Sequence, residues 1–303
     1  MALAAATWGL DGLLRKPLAN DLDAGTVVLW EHVIALLVLA PVIPRALRAF
    51  ARAGLRAQVA VVLVGVGASA VATALFTESF KLAIASNDFV TPLVLQKLQP
   101  LFAIALAVVI LRERLRLPYA IFALPALAGA WLLTFADPFH VTVAALQPAL
   151  YAVGAAALWG AGTVLGRLLA TTIEPRDITT LRFVFGFLGA IVVVQVTGAQ
   201  VAPGWHNAVG LILLALIPGL FALELYYWAL ARTAAARATL AELAFPVTAA
   251  LVGVVVQHTH LDGSQWIGMA VIVGAVLALS WFEHRPRPCV EESEAELAAA
   301  GRT

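Results

Sequence analysis

The chain has 303 residues, of which 62% are hydrophobic and 12% are charged, and its net charge is +1. Soluble domains carry about one quarter charged residues, so this composition indicates a membrane protein. It excludes an extramembrane catalytic domain, and the arginines lie at helix ends rather than in a nucleic-acid-binding patch. The single cysteine excludes an internal disulfide and a cysteine metal cluster.

Ten segments are apolar enough to be bilayer spans, which need about 20 residues each. In chain order they cover residues 1–14, 27–43, 57–77, 89–111, 117–136, 141–166, 183–205, 208–230, 238–257 and 263–282. The first is interpreted as a retained span rather than a signal peptide, because Arg15 and Lys16 follow the apolar stretch instead of preceding it. We therefore predict an all-α integral membrane protein with ten transmembrane helices and a polar tail at 284–303.

Lysine and arginine are distributed unequally between the two sides that these spans define. The connections after spans 2, 4 and 6 are rich in arginine, whereas those after spans 5, 7 and 9 contain no lysine or arginine. Because short cytoplasmic loops carry the excess of positive charge, both termini are predicted to be cytoplasmic in a multi-pass protein of the inner (plasma) membrane. One span more or fewer would move every later connection to the opposite side and remove this bias, so the distribution supports a count of ten spans.

The sequence contains an internal repeat. Residues 4–18 read AAATWGLDGLLRKPL and residues 155–169 read AAALWGAGTVLGRLL. A second match pairs Pro100 with Pro246, with Gln96 and Glu242 at corresponding positions. Two matches in the same order make chance similarity between Ala-, Leu- and Gly-rich helices the weaker explanation. Five spans is an odd number, so the second copy must be inverted, as in many secondary transporters. The predicted units are 1–136 and 137–283, followed by the cytoplasmic tail.

These motifs resemble the EamA-type branch of the drug/metabolite transporter superfamily over residues 1–283. Trp-Gly followed by a basic residue occurs at Trp8 and again at Trp159. An arginine opens the second helix of the second copy at Arg182, where the first copy has Glu31. Glu-Arg-Leu ends the fourth helix at 113–115, and the second copy departs from it with Thr-His-Leu at 259–261. The resemblance implies the fold and a transport function. Within the branch the chain is most similar to the YddG-type exporters of aromatic amino acids.

Ionisable and aromatic residues within spans are candidate substrate contacts, because intramembrane charge is costly and usually faces the interior. The predicted substrate-binding residues are Trp8, Phe76, Glu78, Phe80, Lys97, Gln99, Trp159, Glu224, Tyr227, Trp228 and Glu242. Lys97 would meet a substrate carboxylate, an acidic residue the amine, and the aromatic residues a ring. Three prolines, Pro92, Pro100 and Pro246, are predicted hinges because proline frees a backbone carbonyl one turn earlier.

Simpler interpretations remain open for each group. Glu78 or Glu242 could neutralise Lys97 structurally, the aromatic residues could belong to the core or the interfacial belt, and the prolines could be tolerated kinks. Asp11 and Arg15 suit a local ion pair, while Glu31 and His32 suit an interfacial cap. No metal site or cofactor is predicted.

The leading hypothesis is a secondary transporter that exports small amphipathic metabolites, aromatic or other apolar amino acids, by alternating access. Export of organic cations or drugs on the same fold is the alternative. An intramembrane enzyme ranks lower, because the spans contain no nucleophile or metal set, and no ATP-binding motif is present. The expected partners are a small-molecule substrate and membrane lipid, without nucleic acid, and the expected state is a monomer or weak dimer.

Overall fold

The computed structural model describes residues 1–85, 95–96, 98–113, 117–134, 139, 146–256, 258 and 260–284, and these residues form helices and no strands. The α-helices are α1 (Ala2–Trp8), α2 (Asp11–Asp21), α3 (Ala24–Leu39), α4 (Ile43–Arg52), α5 (Leu55–Val62), α6 (Ala72–Ala85), α7 (Gln99–Ile110), α8 (Leu117–Thr134), α9 (Leu146–Leu169), α10 (Pro175–Thr197), α11 (Ala208–Leu214), α12 (Ala222–Leu230), α13 (Ala235–Ala241), α14 (Ala244–Val256) and α15 (Gly263–His284). The prediction of an all-α protein is confirmed.

Five helical segments of the described chain are long and apolar enough to cross a membrane. They are Leu55–Ser79, Leu146–Leu169, Pro175–Thr197, Trp205–Leu230 and Arg237–Val256. A sixth results if α3 and α4 are taken together, although they are bent by 98°. Shorter apolar helices occupy Gln99–Ile110, Ile121–Leu133 and Gly263–Ala278. Such helices satisfy every backbone group internally, which is the condition for lying in lipid. The count of ten spans stays a prediction.

Polar contacts between distant segments mark the two ends of the bundle. At one end, Arg45 on α4 forms ion pairs with Glu174 and with Asp177, the latter at 3.2 Å. These contacts, above all with Asp177, raise the pKa of Arg45. At the other end, the Lys81 ammonium lies 3.1 Å from the Asp23 carboxylate. The first end brings together the connections after spans 2 and 6, which the arginine distribution predicted to lie on one side.

Two segments of π-helix interrupt helices at corresponding places in the two halves. Leu63–Val71 joins α5 to α6, and Ala215–Phe221 joins α11 to α12. A π-helix closes its hydrogen bonds over five residues instead of four, and such segments often occur at functional sites. Each one shifts the face that the following α-helix presents to its neighbours.

Three further breaks lie within the bundle. The α-helical hydrogen-bond pattern is interrupted at Gly9–Leu10 between α1 and α2, at Leu98 before α7, and at Glu242–Leu243 between α13 and α14. Pro100 and Pro246 lie in the first turns of α7 and α14, where proline is tolerated because its missing N–H has no intrahelical partner. Both prolines therefore follow a break instead of kinking a continuous helix. Pro92 lies outside the described residues.

Helices α8 and α15 approach each other closely at two glycines. A methyl group at Gly268 would lie 2.4 Å from the backbone nitrogen of Leu133 and 2.5 Å from the backbone oxygen of Gly129. A methyl group at Gly129 would in turn lie 2.8 Å from the Gly268 oxygen. The two backbones touch, as small residues permit in membrane helix pairs.

Candidate substrate cavity

A cavity of about 210 Å³ lies between the helices of the bundle. Twenty described residues line it: Trp8, Asp11, Arg15, Glu31, His32, Ser69, Thr73, Phe76, Gln96, Gln99, Trp159, Thr163, Arg182, Phe183, Pro218, Gly219, Leu223, Tyr226, Glu242 and Phe245. No described residue of α8 or α15 belongs to this lining. The cavity is lined by residues of other helices, and the described part of the α8/α15 pair lies outside it.

The lining residues come from corresponding positions of the two halves. Counting five residues on from the last residue of each π segment, Val71 and Phe221, leads to Phe76 and Tyr226. The two matches of the internal repeat place the remaining helices in register. Sixteen of the twenty lining residues then form eight pairs: Trp8/Trp159, Glu31/Arg182, His32/Phe183, Ser69/Gly219, Thr73/Leu223, Phe76/Tyr226, Gln96/Glu242 and Gln99/Phe245.

Aromatic rings form two facing pairs in the cavity wall. The rings of Trp8 and Tyr226 have centroids 5.0 Å apart at 47°, and those of Phe76 and Trp159 lie 5.2 Å apart at 60°. Tilted and edge-on arrangements are the favoured geometries of aromatic pairs. The wall therefore offers both ring faces and ring edges to a bound molecule.

Glu242 lies at the break between α13 and α14 and is 8% exposed. Its carboxylate accepts hydrogen bonds from Gln99 Nε2 at 2.8 Å, from the Tyr226 hydroxyl at 2.8 Å and from Thr163 Oγ1 at 3.2 Å. These donors come from α7, α12 and α9. We call the four residues the Glu242 cluster. Through one buried carboxylate it connects α7, α9 and α12 to the junction of α13 and α14, and none of its donors in the described part of the chain carries a positive charge.

A second cluster of polar residues in the lining consists of three charged side chains, which we call the Arg15 cluster. Arg15 donates to both oxygens of Asp11 at 2.7 Å each, and to Glu31 at 2.8 and 3.1 Å. Each carboxylate thus accepts two hydrogen bonds from the guanidinium, and such bidentate pairs hold the guanidinium in a fixed orientation. The cluster carries one net negative charge when all three groups are ionised.

Arg182 differs from Arg15 because its described partners are uncharged. It donates to Tyr227 Oη at 3.1 Å, to the Ala68 carbonyl in the first π segment at 3.2 Å, and to Ser69 Oγ at 3.4 Å. His32 Nε2 lies 3.0 Å from the same Ser69 hydroxyl. A guanidinium facing a cavity in this way can bind an anionic or carbonyl oxygen of a ligand.

Gln96 contributes an unsatisfied group to the lining. Its Oε1 atom is buried and has no hydrogen-bond partner within the described part of the chain. An unpaired buried acceptor costs about 1–3 kcal/mol, so a ligand donor at this position would be favoured. Among the described residues, no group of three His, Cys, Asp or Glu side chains could hold a metal ion.

The structure brings five of the predicted substrate-binding residues together in the cavity wall: Trp8, Phe76, Gln99, Trp159 and Glu242. Glu78, Glu224 and Tyr227 do not line it, and Tyr227 instead lies behind Arg182 as its hydrogen-bond partner. Trp228 is 54% exposed on the outer surface, with the Arg232 guanidinium 4.3 Å from its ring centre. Lys97 and the Phe80 side chain lie outside the described residues.

Tyr226 was not among the predicted residues, which included its neighbours Glu224, Tyr227 and Trp228; on α12 the cavity is lined by Leu223 and Tyr226 instead. Arg15 and Glu31 were assigned to separate local roles, although the charges beside the first span and inside the second were a signal. Arg182 was noticed only as part of the repeat.

The sequence profile of the EamA-like transporter family matches residues 1–135 and again residues 146–281. The riboflavin transporter ImpX of Fusobacterium nucleatum is 29% identical over 292 residues, covering 92% of this chain and 96% of its own. The uncharacterized transporter YwfM of Bacillus subtilis is 29% identical over 185 residues, covering 60% of each chain. A crystal structure with 20% identity superposes with a TM-score of 0.75 over 94% of this chain and 96% of that one.

Both segments match the same profile, and the named relatives are transporters rather than enzymes. The expectation of a multi-pass membrane transporter is therefore confirmed, while the narrower YddG-type assignment stays a prediction. The chain belongs to the EamA-like transporter family.

Proposed function

We propose that this protein is a secondary transporter of small planar aromatic solutes that carry hydrogen-bonding groups on the ring edge. The observation that carries the proposal is the cavity itself, in which aromatic rings from both halves alternate with the amide of Gln96 and the Glu242 cluster. Ligand sites typically combine an apolar aromatic lining with a few placed polar groups.

Riboflavin is the first solute to test. Its flat ring system has an edge of alternating carbonyl and N–H groups, and the unpaired Gln96 Oε1 would accept a hydrogen bond from such an N–H. The relation to a riboflavin transporter over nearly the whole chain supports this choice.

Aromatic amino acids are the second candidate, favoured by a specific observation. Arg182 has only uncharged described partners and lines the cavity together with Glu242. A guanidinium and a carboxylate in one aromatic cavity suit the two charges of a zwitterion. In this version Arg182 takes the role that the sequence analysis gave to Lys97. Organic cations would use Glu242 and the rings alone.

Transport would proceed by alternating access of two inverted five-helix halves, with ten spans in all and both termini in the cytoplasm. The eight matched pairs of lining residues, the paired π segments and the paired breaks before α7 and α14 support this arrangement. A site at the interface of two inverted repeats becomes open to each side in turn as one half moves against the other.

The test is exchange of labelled solute by the purified protein in liposomes, with riboflavin, phenylalanine and an organic cation each offered alone and in competition. Trp159→Ala is expected to raise the KM of the preferred solute about tenfold, because a buried aromatic contact contributes about 1.5 kcal/mol. Trp228→Ala is the matched control and is expected to leave KM unchanged, since Trp228 faces outward. Absence of exchange for every aromatic solute would refute the proposal.

A further inference from the structure

Glu242 combines three features that do not occur together in any other described carboxylate of the cavity. It lies at a helix break, it is nearly buried, and its hydrogen-bond donors among the described residues are uncharged groups on three other helices. Glu31 and Asp11 are held instead by the permanent positive charge of Arg15. The carboxyl group of Glu242 can therefore gain or lose a proton within its surroundings. The carboxylates of the Arg15 cluster cannot, because the guanidinium holds them ionised.

The Glu242 cluster can satisfy both protonation states of the carboxyl group. When ionised, Glu242 accepts from Gln99, Thr163 and Tyr226. When protonated it must donate one hydrogen bond, and a hydroxyl group can turn to accept it. The Tyr226 hydroxyl lies 3.0 Å from Thr163 Oγ1, so its hydrogen can move from Glu242 to Thr163 without displacement of a heavy atom.

The other charged groups that the structure describes around the cavity form no ion pair with Glu242. Arg182 and His32 are on α10 and α3, and the Arg15 cluster is on α2 and α3. No Lys, Arg or His of the described chain forms an ion pair with Glu242. Because Glu242 lies between α13 and α14, movement of α14 relative to α9 and α12 would separate the carboxylate from its hydroxyl donors. Water from one side could then exchange a proton with it.

We propose that Glu242 is the proton-binding site that couples transport to the proton gradient. The carboxylate takes up one proton from the side to which the cavity is open, and it releases that proton after the cavity opens to the other side. Arg182 faces the same space and provides the opposite charge for an anionic solute group. The coupling rests on the proposed transport function, whereas proton binding by Glu242 does not depend on the solute.

The first measurement concerns proton binding alone. Infrared difference spectra of the purified protein between mildly acidic and mildly alkaline buffer are expected to contain the C=O band of a protonated carboxyl group. Glu242→Gln keeps the size and an acceptor oxygen, and it is expected to remove that band. Glu78→Gln is the matched control outside the cavity lining and should leave it. An unchanged band in Glu242→Gln would overturn the proposal, whatever solute is transported.

The second measurement uses liposomes with a pH difference across the membrane. One proton per solute allows about tenfold accumulation for a gradient of one pH unit. The wild-type protein is expected to accumulate solute accordingly, whereas any solute exchange that remains in Glu242→Gln is expected not to respond to the pH difference. Exchange by the wild type that ignores the gradient would contradict the coupling. If no aromatic solute exchanges, the proposed function fails, and the infrared band still decides whether Glu242 binds a proton.

Discussion

Replacing Gly268 by alanine is expected to destabilise the protein by about 2–3 kcal/mol. The added methyl group would lie 2.4 Å from the Leu133 nitrogen and 2.5 Å from the Gly129 oxygen, whereas ordinary contacts begin at 3.4 Å. The α8/α15 pair must therefore open by about 1 Å. Overpacking a filled interior costs about 1–3 kcal/mol, and the obstacle here is backbone that cannot rotate away, which favours the upper part of that range.

Gly274→Ala is the matched control on the same helix, because nothing lies within 4 Å of its added methyl group. Both variants gain the helix propensity of alanine, about 0.5–1 kcal/mol, so the difference between them isolates the contact. Thermal unfolding in detergent, followed by tryptophan fluorescence, is expected to give a Tm for Gly268→Ala about 4–12 °C lower, scaling from domains of 150–250 residues. Equal melting temperatures would refute the close approach of the two backbones.

Two further substitutions test the polar groups of the cavity, each against a control outside it. Arg15→Met leaves the buried Glu31 carboxylate and the partly exposed Asp11 carboxylate without their cation, and it should destabilise the protein by about 3–5 kcal/mol in thermal unfolding. Lys81→Met breaks only an exposed pair and should change stability by less than about 1 kcal/mol. Gln96→Leu should raise the KM of the transported solute about tenfold by removing the free acceptor. Gln58→Leu, at a glutamine outside the cavity lining, should leave KM unchanged, and equal effects of both substitutions would exclude a specific role for Gln96.

The parts of the cavity that the sequence could predict are those that depend on the order of residues alone. The repeat selected Trp8 and Trp159 because they recur at matched positions, and Glu242 was selected because it places a charge within a span. Neither criterion requires knowledge of how a helix is rotated. The all-α class followed from composition for the same reason, since an apolar backbone in lipid has few alternatives to helix.

The parts that could not be predicted depend on rotation and on contacts between helices. On α12, Glu224, Tyr227 and Trp228 were selected by residue type, whereas the rotation of the helix places Leu223 and Tyr226 in the cavity lining and leaves Trp228 54% exposed. The ion pair between Arg15 and Glu31 connects α2 to α3, and the two residues are 16 positions apart in the sequence. Residue spacing within one helix predicts only the pair of Arg15 with Asp11, four positions away.

The matched lining pairs have a consequence for how such a protein can evolve. A dimer of two identical subunits would place the same residue at both positions of each pair, acid with acid or base with base. In this single chain the positions corresponding to Glu31 and Gln96 are instead occupied by Arg182 and Glu242. When the two copies form one polypeptide, each position can therefore change independently of the corresponding position in the other copy. One side of the cavity can then carry positive charge and the other negative charge. A solute with different groups at its two ends would bind such a cavity in one preferred orientation.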